Sequence, residues 1–443
     1  MRILILTPEF AGSGGGITTF YRTLAQRYRA CGIEVSVIEG SGVHAAEHVA
    51  PADMDGVNVE VLERTRLDAW VAKFDHFEAM PSLRLHLAAA WGMWEQANFG
   101  RDFDVVEACD WGLLFVPPAV EASRPLVVQC HGSVGQISVH DPVEGEESGS
   151  IMTRLLERAC MAVAQRVQTL NRSNATFWHE ESGREVASIY PGWSRKPLSG
   201  TNSLSGRGLA VGRVQRWKGP QILCEALKLL GARAPVVDWV GRDTVWGARQ
   251  SSSAARLSTD YPEIWGRKII QHPQITPAEV AIRQQCALFN LVPSTWDVFN
   301  FTAVEAMSSG RPAIVSTGAG ASELIEDGVN GFLFPSGDAE GLARVLDRVL
   351  SESPERLAEI GHAAQETVRS ALDPEEIAKK RITAYQAAID EFAGKPAIPV
   401  GGWLGDICRP TQPLQTHMAF LESFPLRHLA KHVADRAARR ILR

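Results

Sequence analysis

Residues 2–38 read as one supersecondary unit, and that unit leaves few folds open. RILILT (2–7) is a short apolar run of the kind that fills a buried parallel strand. A glycine-rich turn, AGSGGGI (11–17), follows it. The next stretch, 18–29, places Phe20, Leu24 and Tyr28 four apart on one helical stripe; Gly32 ends it, and 34–38 supplies a second strand. Strand, tight turn, helix and strand in that order form the repeating unit of a doubly wound α/β sheet.

The alternation continues along the chain. Further strands are expected at 57–62, 105–108, 126–130, 166–170 and 186–190, with helices near 82–98, 151–164 and 172–181. At 195–207 the composition shifts to RKPLSGTNSLSGR, a polar linker. A second alternation begins at Gly208: strands at 209–211, 236–240, 268–271, 288–292, 313–316 and 332–334, helices near 219–230, 277–286, 302–309 and 339–351, then long helical patterns over 354–370 and 374–392. The pattern predicts two Rossmann-like domains, 1–195 and 208–372, joined by the linker 196–207. Residues 373–393 follow as a further helix, and 394–443 as a tail. Residues 394–416 carry four prolines and read as irregular. In LRHLAKHVADRAARRILR (426–443), Leu426, Leu429, Val433, Ala437 and Ile441 share a stripe among six basic residues and one acid, a basic amphipathic helix.

Composition narrows the function classes. The chain has 443 residues, 45% apolar and 22% charged, which suits globular domains and excludes a fibrous or wholly disordered chain. A net charge of -6 argues against a nucleic-acid coat protein. No apolar stretch reaches the length of a membrane span, and MRILILTPEF runs into Pro8 and Glu9 too soon for a secretory signal. The seven cysteines are scattered and form no CxxC pair, as expected of buried thiols in a reducing cytoplasm rather than disulfides or metal ligands. Two sequons, at Asn171 and Asn174, read as chance in that setting.

Four segments could carry chemistry. The glycines of 12–16 open a helix, where backbone N–H groups favour a phosphate; a tight turn alone would also require them. His131 lies just past a strand end, where such folds bind ligands, though a lone histidine is more often structural. GRVQRWKG (212–219) repeats strand, glycine, cations and helix; Arg213 and Lys218 suit a diphosphate, or form a solvated basic turn. In WDVFNFTAVEAMSSGRPAIVS (296–316), a helix begins near Phe301. Its first N–H groups, at Phe301 and Thr302, are ready for an anion, and Asp297 and Glu305 are placed to accept hydrogen bonds from sugar hydroxyls. The bland reading is a capping acid and one exposed Glu. Asp53 and Asp55 spell a DxD pattern but stand in a polar loop, which argues against a metal site. Glu39 ends the second strand where dinucleotide enzymes hold a ribose, but the glycine fingerprint of that class is broken at Ile17.

Over residues 1–392 the chain resembles retaining glycosyltransferases of the large family 4 (group 1) type, which have the GT-B fold: two Rossmann-like domains facing across a cleft, with a crossover helix. The resemblance rests on Gly14-Gly15-Gly16, Cys130-His131-Gly132, GRVQRWKG, the segment 293–310 with Glu305-Ala306-Met307, and STGAGASELIEDGVNGFLF (316–334). It implies a nucleotide-diphosphate sugar, UDP- or GDP-linked, held mainly by the second domain. Arg213 and Lys218 would neutralise the diphosphate, Glu305 would hold the ribose, and backbone near Ile275 would meet the base. His131, Gly15 and Gly16 would approach from the first domain, and 374–392 would cross back onto that domain. Neither metal nor cofactor is implied. The acceptor would be a glycan or a lipid-linked glycan. The tail after residue 393 has no counterpart in the family; its basic amphipathic helix, 426–443, suits either peripheral contact with the inner face of the membrane from a cytoplasmic location, or packing on the body or self-association. Fixed cations and helix-terminal N–H groups suit the charge that develops on a departing diphosphate.

Three departures stand out. Asp297 replaces the family's Glu, setting its carboxylate roughly 1–1.5 Å back. Asn300 replaces a Gly, and Asn tolerates the left-handed backbone best after Gly. Pro191-Gly192-Trp193 replaces Pro-Asn-Gly. Three other readings stay open: a same-fold synthase acting on a small sugar or sugar phosphate, an inactive sugar-nucleotide binder, and a nicotinamide-dependent oxidoreductase. The last leaves GRVQRWKG and the paired acids unexplained. The oligomeric state is not legible.

Overall fold

The computed structural model describes the whole chain except residues 13–14, 47–51, 55, 144, 195–204, 247–250, 395–397, 411–424 and 442–443. The linker expected at 196–207 therefore falls mostly outside the described residues, as do Gly14 and Asp55.

The first sheet has eight strands: β1 (Arg2–Thr7), β2 (Glu34–Glu39), β3 (Ala52–Met54), β4 (Val57–Val61), β5 (Val105–Cys109), β6 (Leu126–Cys130), β7 (Arg166–Thr169) and β8 (Val186–Ser188). Their order is β3-β4-β2-β1-β5-β6-β7-β8, parallel throughout except β3. In the second half, β9 (Gly208–Val211), β10 (Val237–Val240), β13 (Ile269–His272), β14 (Asn290–Val292), β15 (Ala313–Ser316) and β16 (Phe332–Phe334) form a parallel sheet ordered β13-β10-β9-β14-β15-β16. A two-stranded hairpin, β11 (Val245–Trp246) and β12 (Ser251–Ser252), stands apart. Strands β5, β6 and β15 are buried at every residue, as parallel strands between two helical layers must be.

Strand order reverses between β1 and β5 in the first sheet and between β9 and β14 in the second. At such switch points the outgoing loops diverge and open a crevice at the carboxyl ends. The loops after β1, β9 and β14 hold the glycine loop, GRVQRWKG and WDVFNF, and His131 follows β6, the neighbour of β5. The architecture thus turns the loops after β1, β9 and β14 toward the two crevices.

The helix Pro374–Gly394 packs on the helix Gly16–Ala30 and on β5 and β6, so it returns to the first domain as expected. Arg381, fully buried on it, lies 3.6 Å from the buried Glu107 of β5, donates to Gln129 of β6 and covers the Phe20 ring at 4.6 Å.

Three expectations need correction. Residues 52–54 form no polar loop: β3 pairs antiparallel with β4, and Asp53 sits on that edge strand. Residues 394–416 are not irregular throughout, because Gly402–Ile407 is helical and buries Ile407. It is latched to the first domain by Trp91 Nε1 donating to Cys408 O (2.7 Å) and Arg409 donating to Val120 O (3.1 Å), so the prolines bracket a docked turn. Of the seven free cysteines, Cys31 is exposed and Cys286 half-buried; the other five are buried.

Candidate active-site cleft

The glycine loop is braced from beneath. Glu39, at the end of β2, accepts from the N–H groups of Phe10 (2.5 Å) and Ala11 (2.9 Å). Both bonds fall on Oε2, so this carboxylate braces the loop, a structural role that adds to the broken glycine fingerprint against the dinucleotide reading of Glu39. Gly15 caps the helix Gly16–Ala30, and a Cβ on it would strike the Glu9 carboxylate. A Cβ on Gly16 would touch the Phe301 ring at 3.0 Å, so this helix start faces the second domain directly.

His131 stands across the cleft. Its backbone N–H and that of Gly132 donate to the two oxygens of Asp110, at 2.8 and 3.1 Å. Its ring packs edge-on against Phe20 at 4.6 Å, and its buried Nε2 has no hydrogen-bond partner among the described residues. Burial, aided by the charge of Arg381, lowers its pKa to about 3, so the imidazole is neutral. Asp110, desolvated at the end of β5, is pushed up to about 7. Sequence reasoning missed Asp110, although a carboxylate one residue past a strand at the switch point was a readable signal.

Glu157 supports the same turn. It accepts from Ser133 Oγ (2.8 Å) and Gly135 N (2.9 Å), and burial raises its pKa to about 8. A carboxyl whose pKa is raised by folding binds more protons folded than unfolded. Its stabilising effect is therefore present below the ordinary Glu range and is lost as pH rises toward 8. Glu157→Gln mimics the protonated form: its amide oxygen can still accept from Gly135 N, while its NH2 donates to Ser133 Oγ in the reverse direction. Relative to the native chain it is expected to gain on the order of 1 kcal/mol per pH unit between pH 5 and 8. Urea unfolding of both proteins at stepped pH reads this, and a pH-independent difference would contradict it.

On the second domain, Gly219 adopts φ 74° where the helix Pro220–Leu230 begins, and a Cβ there would strike Pro293 O. That close approach brings the GRVQRWKG turn onto the loop after β14. Lys218 pairs with Asp297 and lies 4.9 Å from the centre of the Trp217 ring. The acid expected to face a sugar is thus also the partner of the expected diphosphate cation. Arg213 is exposed to solvent, yet its head lies among enough protein atoms, and near enough to Arg242, to lower its pKa; Asp297, Asp141 and Glu9 pull the other way. Two cations and one acid therefore share this mouth.

The helix Phe301–Ser308 starts on Asn300, which holds φ 73°. Its side chain accepts from Ala303 N (3.3 Å) and donates to Ser294 Oγ (3.1 Å), so the left-handed turn survives without glycine. Phe301 and Thr302 form the first turn, and the half-buried Glu305 follows one turn later. Ile275, after β13, packs on Leu209, Val240 and Ala287.

The domains touch through groups that sequence reasoning did not single out. His140 stacks on Trp296 at 4.4 Å, and Trp296 stacks on Trp217 at 5.2 Å. Gln215 donates to Asp141 at 2.6 Å. Glu323 accepts from the N–H groups of Arg172 and Ser173 and from Tyr190 OH. Asn171 and Asn174, the two sequon residues, are buried; one caps a helix and the other bonds Gln136 and Thr169, so neither is open to a glycan. Between these contacts lies a cavity of about 300 Å³ with Gln136, Asn174, Trp296, Asp297 and Thr317 on its wall. Among the described residues no three His, Cys, Asp or Glu side chains gather where they could hold a metal ion.

Comparison with known proteins places the family and the fold. Residues 206–352 match the family model described as glycosyl transferases group 1, and 15–185 match glycosyl transferase 4-like domain. A D-inositol 3-phosphate glycosyltransferase of Arthrobacter sp. (strain FB24) is 26% identical over 414 residues, 88% of this chain and 94% of that one. The same-named protein of Thermobifida fusca is 26% identical over 376 residues, covering 77% and 82%. Among solved structures, sucrose-phosphate synthase from Thermosynechococcus elongatus superposes with a TM-score of 0.66 at 18% identity, over 89% of this chain and all of that one. Anabaena Alr3699/HepE in complex with UDP-glucose gives 0.62 at 19%, over 87% and 100%.

Proposed function

The chain belongs to the group 1 glycosyltransferases, with their two-domain GT-B fold, and from that premise we propose that it moves a sugar from a nucleotide-diphosphate donor to a glycan or lipid-linked acceptor with retention. The observation that carries this reading is the shared mouth of Arg213, Lys218 and Asp297 beside the first turn of Phe301–Ser308, with His131 across the cleft. Departure of the sugar leaves charge on the diphosphate. Two cations and free N–H groups, already in place, stabilise that charge without reorganising.

In this reading Lys218 and Arg213 hold the diphosphate, Glu305 the ribose, and backbone near Ile275 the base. An ammonium has three donors, so Lys218 can keep Asp297 and still engage a phosphate oxygen. Asp297 then orients toward a donor-sugar hydroxyl, and the neutral His131 offers its unpartnered Nε2 to the sugar from the other side. Gly15 and Gly16 let the first helix approach the donor closely. Closure of the two domains excludes water and limits hydrolysis. That Alr3699/HepE binds UDP-glucose supports a uridine donor. Val139 and Phe177, on the cavity wall, are 58% and 40% exposed, which favours an acceptor with an apolar portion.

A second reading, a small phosphorylated polyol or sugar as acceptor, is favoured by the names of the relatives that align along most of the chain. Product analysis with inositol phosphate against lipid-linked glycan separates the two.

The first test is thermal stabilisation by UDP, GDP, ADP, CMP and NAD at matched concentration. One nucleoside diphosphate is expected to raise Tm, since a ligand at about 100 times its Kd adds roughly 2.7 kcal/mol. A shift with NAD alone, or with none of the five, would overturn the donor assignment.

A further inference from the structure

The transfer chemistry makes no use of the C-terminal helix. Leu426–Ile441 is helical over 16 residues, and Leu426, Leu429, Val433 and Ala437 recur along it at three-to-four spacing. Leu426 is 83% and Val433 65% exposed, and Ala430, Ala434 and Ala437 are exposed with them. Long helices elsewhere in the chain put such stripes into the core: Pro354–Ala371 buries Leu357, Ile360, Ala364 and Val368. An apolar stripe left facing water is a surface made for something else.

Charge selects the occupant. Residues 426–443 hold six Lys and Arg against Asp435, in a chain whose net charge is -6. A second copy of the helix would set six bases against six, which like-charge repulsion opposes. An anionic bilayer meets both demands at once. The stripe enters the boundary between headgroups and acyl chains, and the flanking cations lie among lipid phosphates. The helix is too polar to span a bilayer, and among the described residues no helix is long and apolar enough to do so. The tail is fixed upstream by the docked turn Gly402–Ile407, so a membrane-bound helix would tether the first domain, the side expected to receive acceptor.

We propose that Leu426–Ile441 is an interfacial anchor that lies flat on anionic phospholipid membranes. The claim stands apart from the transfer reaction, and its test needs no turnover. Full-length protein is sedimented with phosphatidylcholine vesicles and with vesicles that also contain phosphatidylglycerol. Binding is expected with the anionic vesicles only, weakening as salt rises. Leu426→Asp/Val433→Asp and Arg427→Glu/Lys431→Glu, each in the full chain, are expected to lose about tenfold or more of that binding at unchanged Tm. Absence of binding to anionic vesicles, equal binding to neutral ones, or native-like binding by both variants would overturn the proposal. A dimer in sedimentation velocity that Val433→Asp dissolves would likewise assign the stripe to self-association.

Discussion

Lys218→Ala is expected to lower kcat about 10²–10³-fold at saturating donor while the protein stays folded. The loss falls on kcat because the charge that Lys218 meets grows as the anomeric bond breaks, and an interaction realised mainly in the transition state is spent on rate. The fold survives the change for two reasons. Lys218 and Asp297 both keep some solvent contact, at 20% and 15% side-chain exposure, so the pair is not sealed in the core. Arg213 also remains within electrostatic reach of Asp297 and continues to counter its charge. Arg213→Ala should act in the same direction, and the double variant should cost less than the product of the single losses, since both serve one diphosphate. Steady-state kinetics with the donor found by thermal shift, alongside Tm for each variant, check this. Turnover within tenfold of native by both single variants would remove the diphosphate role of this mouth.

That mouth was legible because its parts are local. Strand, glycine, cation and helix follow one another in GRVQRWKG, and parallel-sheet topology sends such a loop to a crevice wherever it occurs. Asn300 was legible for the same reason: a backbone preference belongs to one residue, and the structure holds it at the left-handed angle expected. The pairing of Lys218 with Asp297 was not legible, because 79 residues separate them and tertiary contacts, Gly219 against Pro293 and Thr295 donating to Trp217 O, bring their loops together. The His140–Trp296–Trp217 stack likewise depends on how one domain faces the other. Some misses were local and readable. Ser133 and Gln136 form a capping box at the helix Val134–His140, a signal present in the sequence as Ser-x-x-Gln. Pro117 and Pro118 lie in the first turn of the helix Val116–Glu121, where proline's missing N–H costs nothing, and so are a local signal of a helix start. The docked turn at 402–407 was hidden because its stability comes from Trp91, Val120 and Ala119 of the first domain rather than from its own short sequence.

Arg381→Met is expected to destabilise the protein by about 3–5 kcal/mol. Arg381 and Glu107 are both without solvent exposure, and burial pushes the Glu107 carboxyl up even with the guanidinium beside it. Tyr385 donates to the same Glu107 carboxylate and lies 2.9 Å from Tyr28 OH, so the crossover helix is tied to the first helix and to β5 through one polar knot. Removing the cation leaves a buried acid and the Gln129 acceptor without their partner, and the desolvation already spent on them is not recovered. Glu107→Gln alone strands the cation instead, and should cost a similar amount. The double variant Arg381→Met/Glu107→Gln removes both charges, so it should be more stable than the sum of the single losses predicts by at least 1 kcal/mol, roughly the coupling seen between contacting residues. Urea unfolding of the four proteins closes the cycle. Single variants within about 1 kcal/mol of native would show that water or a neighbouring group reaches the site. The position of the knot adds a second readout. Arg381 covers Phe20, whose ring meets His131, so the crossover helix bears on the cleft from behind. A variant that loses stability should therefore also bind its nucleotide donor more weakly.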